Sequence, residues 1–213
     1  MLVLGALLFL QLSLDTLQVA RIAAPPSPVE LPDSLLYGPP QVRFHTAQGS
    51  SLIWFLQSAD TFFIAASMSD STQYWGDTFA LSIDLNGDAG GSPGHDDFHW
   101  EFRRILDSSV VFRGRSGRWE PPKGDPDWRL GRDRSGGGWE VSGRSAPRGW
   151  SVLLRLDPVW LAGAEGRLAR LAVRMYDNDP HGWFAWPLAE GTPQAASVEQ
   201  IPDLWAPVRA HAE

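Results

Sequence analysis

The chain has 213 residues, 43% of them hydrophobic, which suits one large domain with a packed core. Its formal net charge of −7 and pI of about 5.2 disfavour nucleic acid as a partner, because phosphates would be repelled. The absence of cysteine excludes disulfides, thiol catalysis and cysteine-ligated metals. Eleven tryptophans against three tyrosines suit both a core and a surface that stacks on flat ligand faces.

Residues 1–22 begin with an apolar run, MLVLGALLFLQLSL, which ends at Asp15. The run is shorter than the roughly 20 residues that a transmembrane helix needs, so no transmembrane span is expected. It resembles the apolar part of a secretion signal, although no Lys or Arg precedes it. We therefore expect export to the periplasm or the exterior if the segment is a signal. The alternatives are a first apolar strand or a start codon placed too early.

A proline-rich segment, residues 23–40, is typical of an extended lead-in without regular structure. The domain itself is expected at residues 41–208, where short alternating runs are separated by turn residues. The last of the long runs, 167–179, has leucines at helical spacing, but its Val, Met and Tyr and its strand-rich neighbours favour a strand. The runs that predict strands are 41–46, 51–57, 61–69, 77–84, 98–106, 108–115, 139–143, 149–156 and 167–179, followed by the closing run HGWFAWPL.

Two stretches interrupt this pattern. Residues 116–138 are rich in turn residues and predict a long surface excursion. In residues 157–163, Asp157 at a helix N-cap and Pro158 in the first turn predict a single helical turn. Many short strands with regular turn signals and hardly any helix predict an all-β fold, a single antiparallel β-sandwich.

The segment between two of these strands, 84–97, is acidic and glycine-rich. Asp84, Asn86 and Asp88 place oxygen-bearing side chains at alternate positions, as a calcium loop does at its start, and a flexible turn lets such ligands converge. The EF-hand pattern is incomplete because Ala89 and His95 stand at its sixth and twelfth positions. Two acids on the returning strand would supply further carboxylates. The candidate calcium ligands are Asp84, Asn86, Asp88, Asp96 and Asp97; a solvated acidic turn or a catalytic site are the alternatives.

Catalysis by paired carboxylates is the less favoured of these alternatives. Asp96, Asp97, Glu101 and Glu140 qualify by residue type only, and adjacent residues of a strand point to opposite faces. The sequence also lacks the nucleophile-elbow, zinc-protease and phosphate-loop motifs. We therefore expect a non-enzyme with no organic cofactor.

Three stretches in order resemble one family. YWGDTFALSIDLNGD (74–88) resembles the Trp-x-Asp signature and following strand of family 9 carbohydrate-binding modules and their DOMON-like relatives. GWSVLLRLDPVWL (149–161) is similar to the family's Gly-Trp strand and short proline-containing turn. RLAVRMYDND with GWFAWP (170–187) resembles its closing strands. The likeness extends over about residues 25–208 and implies the same β-sandwich.

The resemblance implies a non-catalytic module that binds carbohydrate between tryptophan rings, with polar side chains on the hydroxyls and, in several members, structural calcium. Trp75 stands at one of the matching places, and either Trp183 or Trp186 stands at the other. An indole packs on the apolar face of a sugar ring while neighbouring polar groups bond its rim. The candidate ligand-binding residues are Trp75, Asp77, Asp177, Asn178, Trp183 and Trp186.

Two other interpretations stay open at the level of sequence. A structural or protein-interaction sandwich would use its tryptophans for packing, as we expect for Trp54, Trp100 and Trp160 in their apolar surroundings. Some DOMON-like domains hold haem non-covalently between Met and His, and Met68 and His181 are available for that role. Methionine, however, is commonly a core residue.

Overall fold

The computed structural model describes residues 16–26, 37–59, 61–72, 76–104, 108–121, 138–161 and 166–209. These ranges form two packed sheets, and nearly all strand pairs are antiparallel, so the predicted all-β sandwich is confirmed. Among the described residues, no helix has the length and apolarity needed to cross a bilayer. The strands are β1 Leu17–Gln18, β2 Ala20–Arg21, β3 Val42–Thr46, β4 Gly49–Ser58, β5 Thr61–Ser69, β6 Thr78–Asp84, β7 Asp97–Arg103, β8 Ser108–Arg115, β9 Arg118–Glu120, β10 Trp139–Ala146, β11 Gly149–Leu156, β12 Arg170–Asn178, β13 His181–Trp186 and β14 Ala206–Arg209.

The larger sheet has the order β1-β14-β12-β6-β7-β8-β9, with β13 also paired to β12. The smaller sheet has the order β10-β11-β5-β4-β2, with β3 also paired to β4. Strand β6 lies inside the larger sheet between β12 and β7, and both partners run antiparallel to it. The start of β6 therefore lies beside the ends of β12 and β7, and its end lies beside their starts. This arrangement creates the two acidic sites described below.

The alternation of β6 points Phe79, Leu81 and Ile83 into the core between the sheets, as the sequence predicts. The opposite, outer face of β6 is also buried: Ala80 and Ser82 are at most 2% exposed. A cover of two 3-10 helices, Pro193–Gln200 and Pro202–Leu204, lies over this part of the sheet. Its apolar contacts are made by Ala172, Ala185, Ala195, Val198 and Trp205.

The three tryptophans predicted to be in the core are buried. Trp100 and Trp160 meet edge to face between the sheets, with ring centroids 5.0 Å apart. Trp54 is also fully buried, but it belongs to a separate cluster on the outer face of the smaller sheet. Its indole Nε1 donates a hydrogen bond to the carbonyl of Gly38, which fastens the end of the lead-in to that sheet.

The sandwich begins earlier in the sequence than residue 41. Strands β1 and β2 lie within residues 17–21 and pair in parallel with β14 and β4, one in each sheet. Leu17 and Val19 are buried in the core. Alternation of buried and exposed residues in so short a segment is a weak signal beside the apolar run that precedes it.

The two predicted interruptions are partly visible. The predicted helical turn is a 3-10 helix, Pro158–Leu161. Asp157 lies before it as expected, but its carboxylate accepts the N–H of Gly138 at 2.6 Å. Strand β9 pairs with β8 inside the segment predicted as a surface excursion, 116–138, and residues 122–137 of that segment lie outside the described residues.

Candidate functional site

Three buried aspartates meet where β6 begins, a region that we call the loop end. Asp77 precedes β6, Asp177 lies near the end of β12, and Asp70 follows β5 in the other sheet. Each is at most 5% exposed, and one carboxylate oxygen from each lies within 4.8 Å of the others. The fold thus brings together the predicted residues Asp77 and Asp177, and it adds Asp70, which the sequence did not single out.

Arg104 supplies the positive charge at the loop end. Its Nη1 lies 2.5 Å from Asp70 Oδ2 and 3.4 Å from Asp77 Oδ2, and the side chain is 2% exposed. The guanidinium also lies over the ring of Trp150, 5.9 Å from its centroid. An internal cation already pairs with two of the three carboxylates, so this cluster is better suited to hydrogen bonding than to holding a metal. In the sequence Arg104 is simply the second residue of an Arg103-Arg104 pair, and no motif indicates its role.

The third carboxylate titrates near neutral pH. Burial raises the pKa of Asp177 to about 6, and the charges of Asp70, Asp77 and Asp179 act in the same direction. The backbone N–H of Asp179 donates to Asp177 Oδ1 at 3.0 Å, which opposes the shift. The N–H of Asn178 donates to Asp77 Oδ1 at 3.2 Å, so backbone bonds hold the carboxylates of the loop end in place.

Aromatic side chains lie beside the loop end on the outer face of the larger sheet. Trp183 on β13 is the register partner of Tyr176 on β12, and their ring centroids are 4.3 Å apart. The guanidinium of Arg174 lies over the Trp183 ring, 4.8 Å from its centroid. Trp183 is only partly buried. A partly exposed indole with an aromatic ring packed against it is a suitable platform for a flat apolar ligand face.

Trp186 does not share this surface. Residues 183 and 186 differ by an odd number of positions in one strand, so their side chains point to opposite faces. The ring of Trp186 packs against the core, 5.6 Å from that of Phe55. Of the two alternatives given by the sequence, Trp183 is the one beside the loop end.

Trp75 lies outside the described residues, but its neighbour Gly76 is well placed. A β-carbon at Gly76 would lie 3.1 Å from Tyr176 Cε1 and 3.3 Å from Asn178 Oδ1. A larger residue here would press on these two side chains. Gly76, the first described residue after Trp75 in the sequence, therefore lies against Tyr176 and Asn178.

The second acidic site, which we call the acidic turn, lies where β6 ends. Asp84, Asp88 and Asp96 each place a carboxylate oxygen within 4.8 Å of the others. Asp84 is fully buried, and its two oxygens accept the N–H groups of Gly87 and Ala89 at 2.7 and 2.8 Å. These bonds fold the turn back over the end of β6 and hold the carboxylate of Asp84 in one orientation.

The other predicted ligands have different positions in the acidic turn. Asn86 lies half-buried on the turn between Asp84 and Asp88. Asp97 is 2% exposed and is the register partner of Asp84, and its Oδ2 accepts the N–H of Gly94 at 2.7 Å. Three of the five predicted residues therefore converge through their carboxylates. Asp97 lies next to them on β7, opposite Asp84.

The carboxylates of the acidic turn repel one another, and burial together with this repulsion raises the pKa of two of them. Burial, reinforced by the charges of Asp84, Asp96 and Asp88, raises the pKa of Asp97 to about 8. Burial also raises the pKa of Asp84, again reinforced by neighbouring carboxylates. Asp96 is 7% exposed, and its Oδ2 has no hydrogen-bond partner among the described residues. Buried, mutually repelling and partly unpartnered oxygens are the donor set that a hard cation prefers.

The two glutamates among the catalytic candidates, Glu101 and Glu140, lie in different sheets and do not form a pair. Glu101 lies on β7 and pairs with Arg103 at 2.7 Å, whereas Glu140 lies on β10 in the other sheet, 3.9 Å from Arg155. The two residues considered for haem are also engaged elsewhere. Met68 is packed in the core, and His181 Nδ1 lies 2.8 Å from the hydroxyl of Tyr176.

No protein-family model matches the sequence, and no curated protein matches it. Solved structures of a family 9 carbohydrate-binding module from Caldicellulosiruptor kristjanssonii are similar in fold. The complex of that module with glucose gives a TM-score of 0.57 at 13% identity, over 93% of this chain and 98% of that chain. The complex with cellotriose gives 0.56 at 13% identity, over 92% and 95%. The predicted likeness to this family is confirmed at the level of the fold.

Proposed function

We propose that the chain is a non-catalytic carbohydrate-binding module and that its sugar site is the loop end with the Trp183 platform. The observation that carries the proposal is that Asp177 and Asn178 directly follow Tyr176, the ring partner of the partly exposed Trp183, at the end of β12, where the N–H of Asn178 also donates to Asp77. The similar fold of a module in complex with glucose and with cellotriose supports it.

The proposed chemistry divides the ligand into two surfaces. The C–H face of a pyranose packs on the ring of Trp183, which is held in place by contacts with Tyr176 and Arg174. The rim hydroxyls donate to carboxylate oxygens of the loop end and accept from amide donors nearby. Because this end combines acceptors with donors, it suits neutral polyols better than anions. We propose Trp75 as a further ligand-binding residue, as the resemblance to the family implies.

The test is calorimetric titration with glucose and cellotriose in saturating calcium. Trp183→Ala should weaken binding by about tenfold, because ring stacking contributes roughly 1 kcal/mol beyond the area buried. Trp139→Ala is the matched control: that indole is also partly buried, but it lies on β10 of the other sheet. It should lose stability and keep affinity.

If wild-type protein binds neither sugar, nor any glycan on a broad array, the proposal is wrong. The chain would then be a structural or protein-interaction sandwich. Equal affinities of wild type and Trp183→Ala for a bound sugar would place the site elsewhere on the molecule.

We also propose that the acidic turn binds calcium through Asp84, Asp88 and Asp96. The residues fit the ion: three carboxylates converge, one buried oxygen of Asp96 has no partner among the described residues, and Asn86 is near in sequence. Calcium would supply the missing positive charge, and its six to eight oxygen ligands would include waters. Its role would be to lock the connection between β6 and β7.

A further inference from the structure

Gln48 lies in the tight turn between β3 and β4, and its side chain reaches two other connections of the loop end. Its Oε1 accepts both the N–H and the hydroxyl of Ser71 at 2.7 Å. Its Nε2 donates to the backbone carbonyl of Asp179, in the turn between β12 and β13. One amide therefore joins the connection after β5, in the smaller sheet, to the β12–β13 turn of the larger sheet.

The same Nε2 also faces the buried network of the loop end. Asp70 Oδ1 lies 3.2 Å away and Thr72 Oγ1 lies 3.3 Å away. Asp70 in turn holds Arg104 through its other oxygen. Gln48 thus connects the Asp70–Arg104 ion pair to the backbone of the β12–β13 turn, which follows Asp177.

The contacts require an amide at this position. Ser71 presents a donor N–H, whereas the carbonyl of Asp179 and the carboxylate of Asp70 present acceptors. Only a side chain with an acceptor on one side and donors on the other satisfies this set. A glutamate of the same size keeps the acceptor for Ser71, loses the donors and places a negative charge against Asp70.

The two joined connections flank the proposed sugar site. In the sequence, Ser71 and Thr72 lead towards Trp75 and Asp77. The β12–β13 turn follows Asp177 and precedes Trp183. Because the connections belong to different sheets, their separation is not set by the pairing within either sheet.

We infer that Gln48 is a positioning residue of the sugar site: it fixes the separation of the two connections that flank the ligand without touching the ligand itself. The inference rests on the proposed function of the loop end. Without this link the two connections can move apart. Binding must then also order them, and this cost in free energy lowers the affinity.

The experiment compares Gln48→Ala, Gln48→Glu and a control with wild type in saturating calcium, by cellotriose titration and by amide hydrogen exchange without sugar. Gln48→Ala should weaken cellotriose binding about fivefold, the usual worth of one or two net hydrogen bonds. It should also speed exchange of the Ser71 amide. Gln48→Glu should keep that amide protected and still lose at least as much affinity, because the link to Asp179 is broken.

Gln41→Ala is the matched control. Gln41 also bridges with both ends of its amide, accepting from Phe55 N at 3.1 Å and donating to Phe55 O at 3.2 Å. Its contacts lie on β4, so its loss should lower the melting temperature and leave the affinity unchanged. A merely structural role for Gln48 would make the two alanine variants behave alike.

The outcomes separate the two proposals. Sugar binding by wild type with unchanged affinity in Gln48→Glu overturns the positioning role and leaves the site standing. Unchanged Ser71 exchange in Gln48→Ala overturns the link itself. Failure of wild type to bind any sugar overturns the proposed function, and the positioning role falls with it.

Discussion

The two ends of β6 contain similar residues and differ in their electrostatics. At the loop end, Arg104 lies within the cluster and pairs with Asp70 and Asp77. At the acidic turn, the neighbouring charges that shift the pKa of Asp97 are all carboxylates. A cluster that contains its own cation has hydrogen-bonding capacity left for a neutral ligand. A cluster without one has a reason to take up an ion.

Removal of the internal cation should have the largest effect on stability. Arg104→Met keeps most of the side-chain volume and leaves the buried carboxylates of Asp70 and Asp77 without their partner. Breaking a buried pair from one side costs about 3–5 kcal/mol of unfolding free energy. Chemical denaturation would measure it.

The double variant Arg104→Met with Asp70→Asn should recover part of that loss, since one of the orphaned charges is removed. If Arg104→Met is as stable as wild type, the loop end does not depend on its internal cation, and the contrast between the two ends is wrong.

Addition of calcium is the corresponding test at the acidic turn. An ion that binds only the folded protein, present at about 100 times its Kd, stabilises by roughly 2.7 kcal/mol. For a chain of this size that is a rise in Tm of about 5–10 °C. Thermal unfolding with millimolar calcium and with EGTA would show it.

Asp88→Ala is the variant to use, because Asp88 is exposed. It should abolish the calcium response and leave the Tm in EGTA nearly unchanged. Asp84→Ala is less informative, because Asp84 accepts two backbone hydrogen bonds and its loss would also destabilise the metal-free protein. Coincident wild-type curves in calcium and EGTA would rule out a stabilising site.

The pH dependence of the calcium-free protein should be smaller and have a definite sign. The pKa of Asp97 is raised from 3.8 to about 8, so the folded protein retains a proton that the unfolded chain releases. Stability should therefore fall as the pH rises through this range, by at most about 1.4 kcal/mol per pH unit.

The window from pH 7 to 8 isolates this effect. The pKa of Asp177 is raised only to about 6 in the folded protein, and burial lowers the pKa of His99 from its ordinary 6.5 to about 3, so above pH 7 both groups are largely deprotonated in the folded and the unfolded states. Asp97→Asn should flatten the slope in that window. An unchanged slope in the variant would assign the titration to another group.

The sequence predicts the sheets much better than it predicts the sites. Alternation along β6 follows from which residues can be buried and predicts that strand correctly. For β12 the leucine spacing suggested a helix, and its Val, Met and Tyr together with the neighbouring strands predicted the observed strand. The sequence left the choice between Trp183 and Trp186 open. Parity puts Phe184 and Trp186 on one face of β13 and Trp183 on the other, and the packing of the two sheets makes the first of these the core face.

The remaining site residues depend on how the two sheets pack. Asp70 and Gln48 belong to the smaller sheet, and Arg104 and Asp177 to the larger one. No local pattern reports a contact between sheets. The acidic turn, in contrast, lies within one short connection, so its converging residues Asp84, Asp88 and Asp96 are all among the five candidates that the sequence offers there.

The smallest predicted effect concerns sugar affinity, and it tests what the internal cation leaves available at the loop end. Arg104 pairs with Asp70 and Asp77, whereas Asp177 has its pKa raised to about 6 by burial and by neighbouring carboxylates.

A sugar hydroxyl that donates to Asp177 favours its ionised form, so affinity should fall as the pH is lowered through about 6. A loss of about fivefold is expected between pH 7.5 and 5, the size of one net hydrogen bond of about 1 kcal/mol. Asp177→Asn should bind with little pH dependence over the same range, as measured by titration with cellotriose in saturating calcium. If wild-type affinity is constant across that range, Asp177 does not accept a bond from the ligand, and the hydroxyls are held by other groups of the loop end.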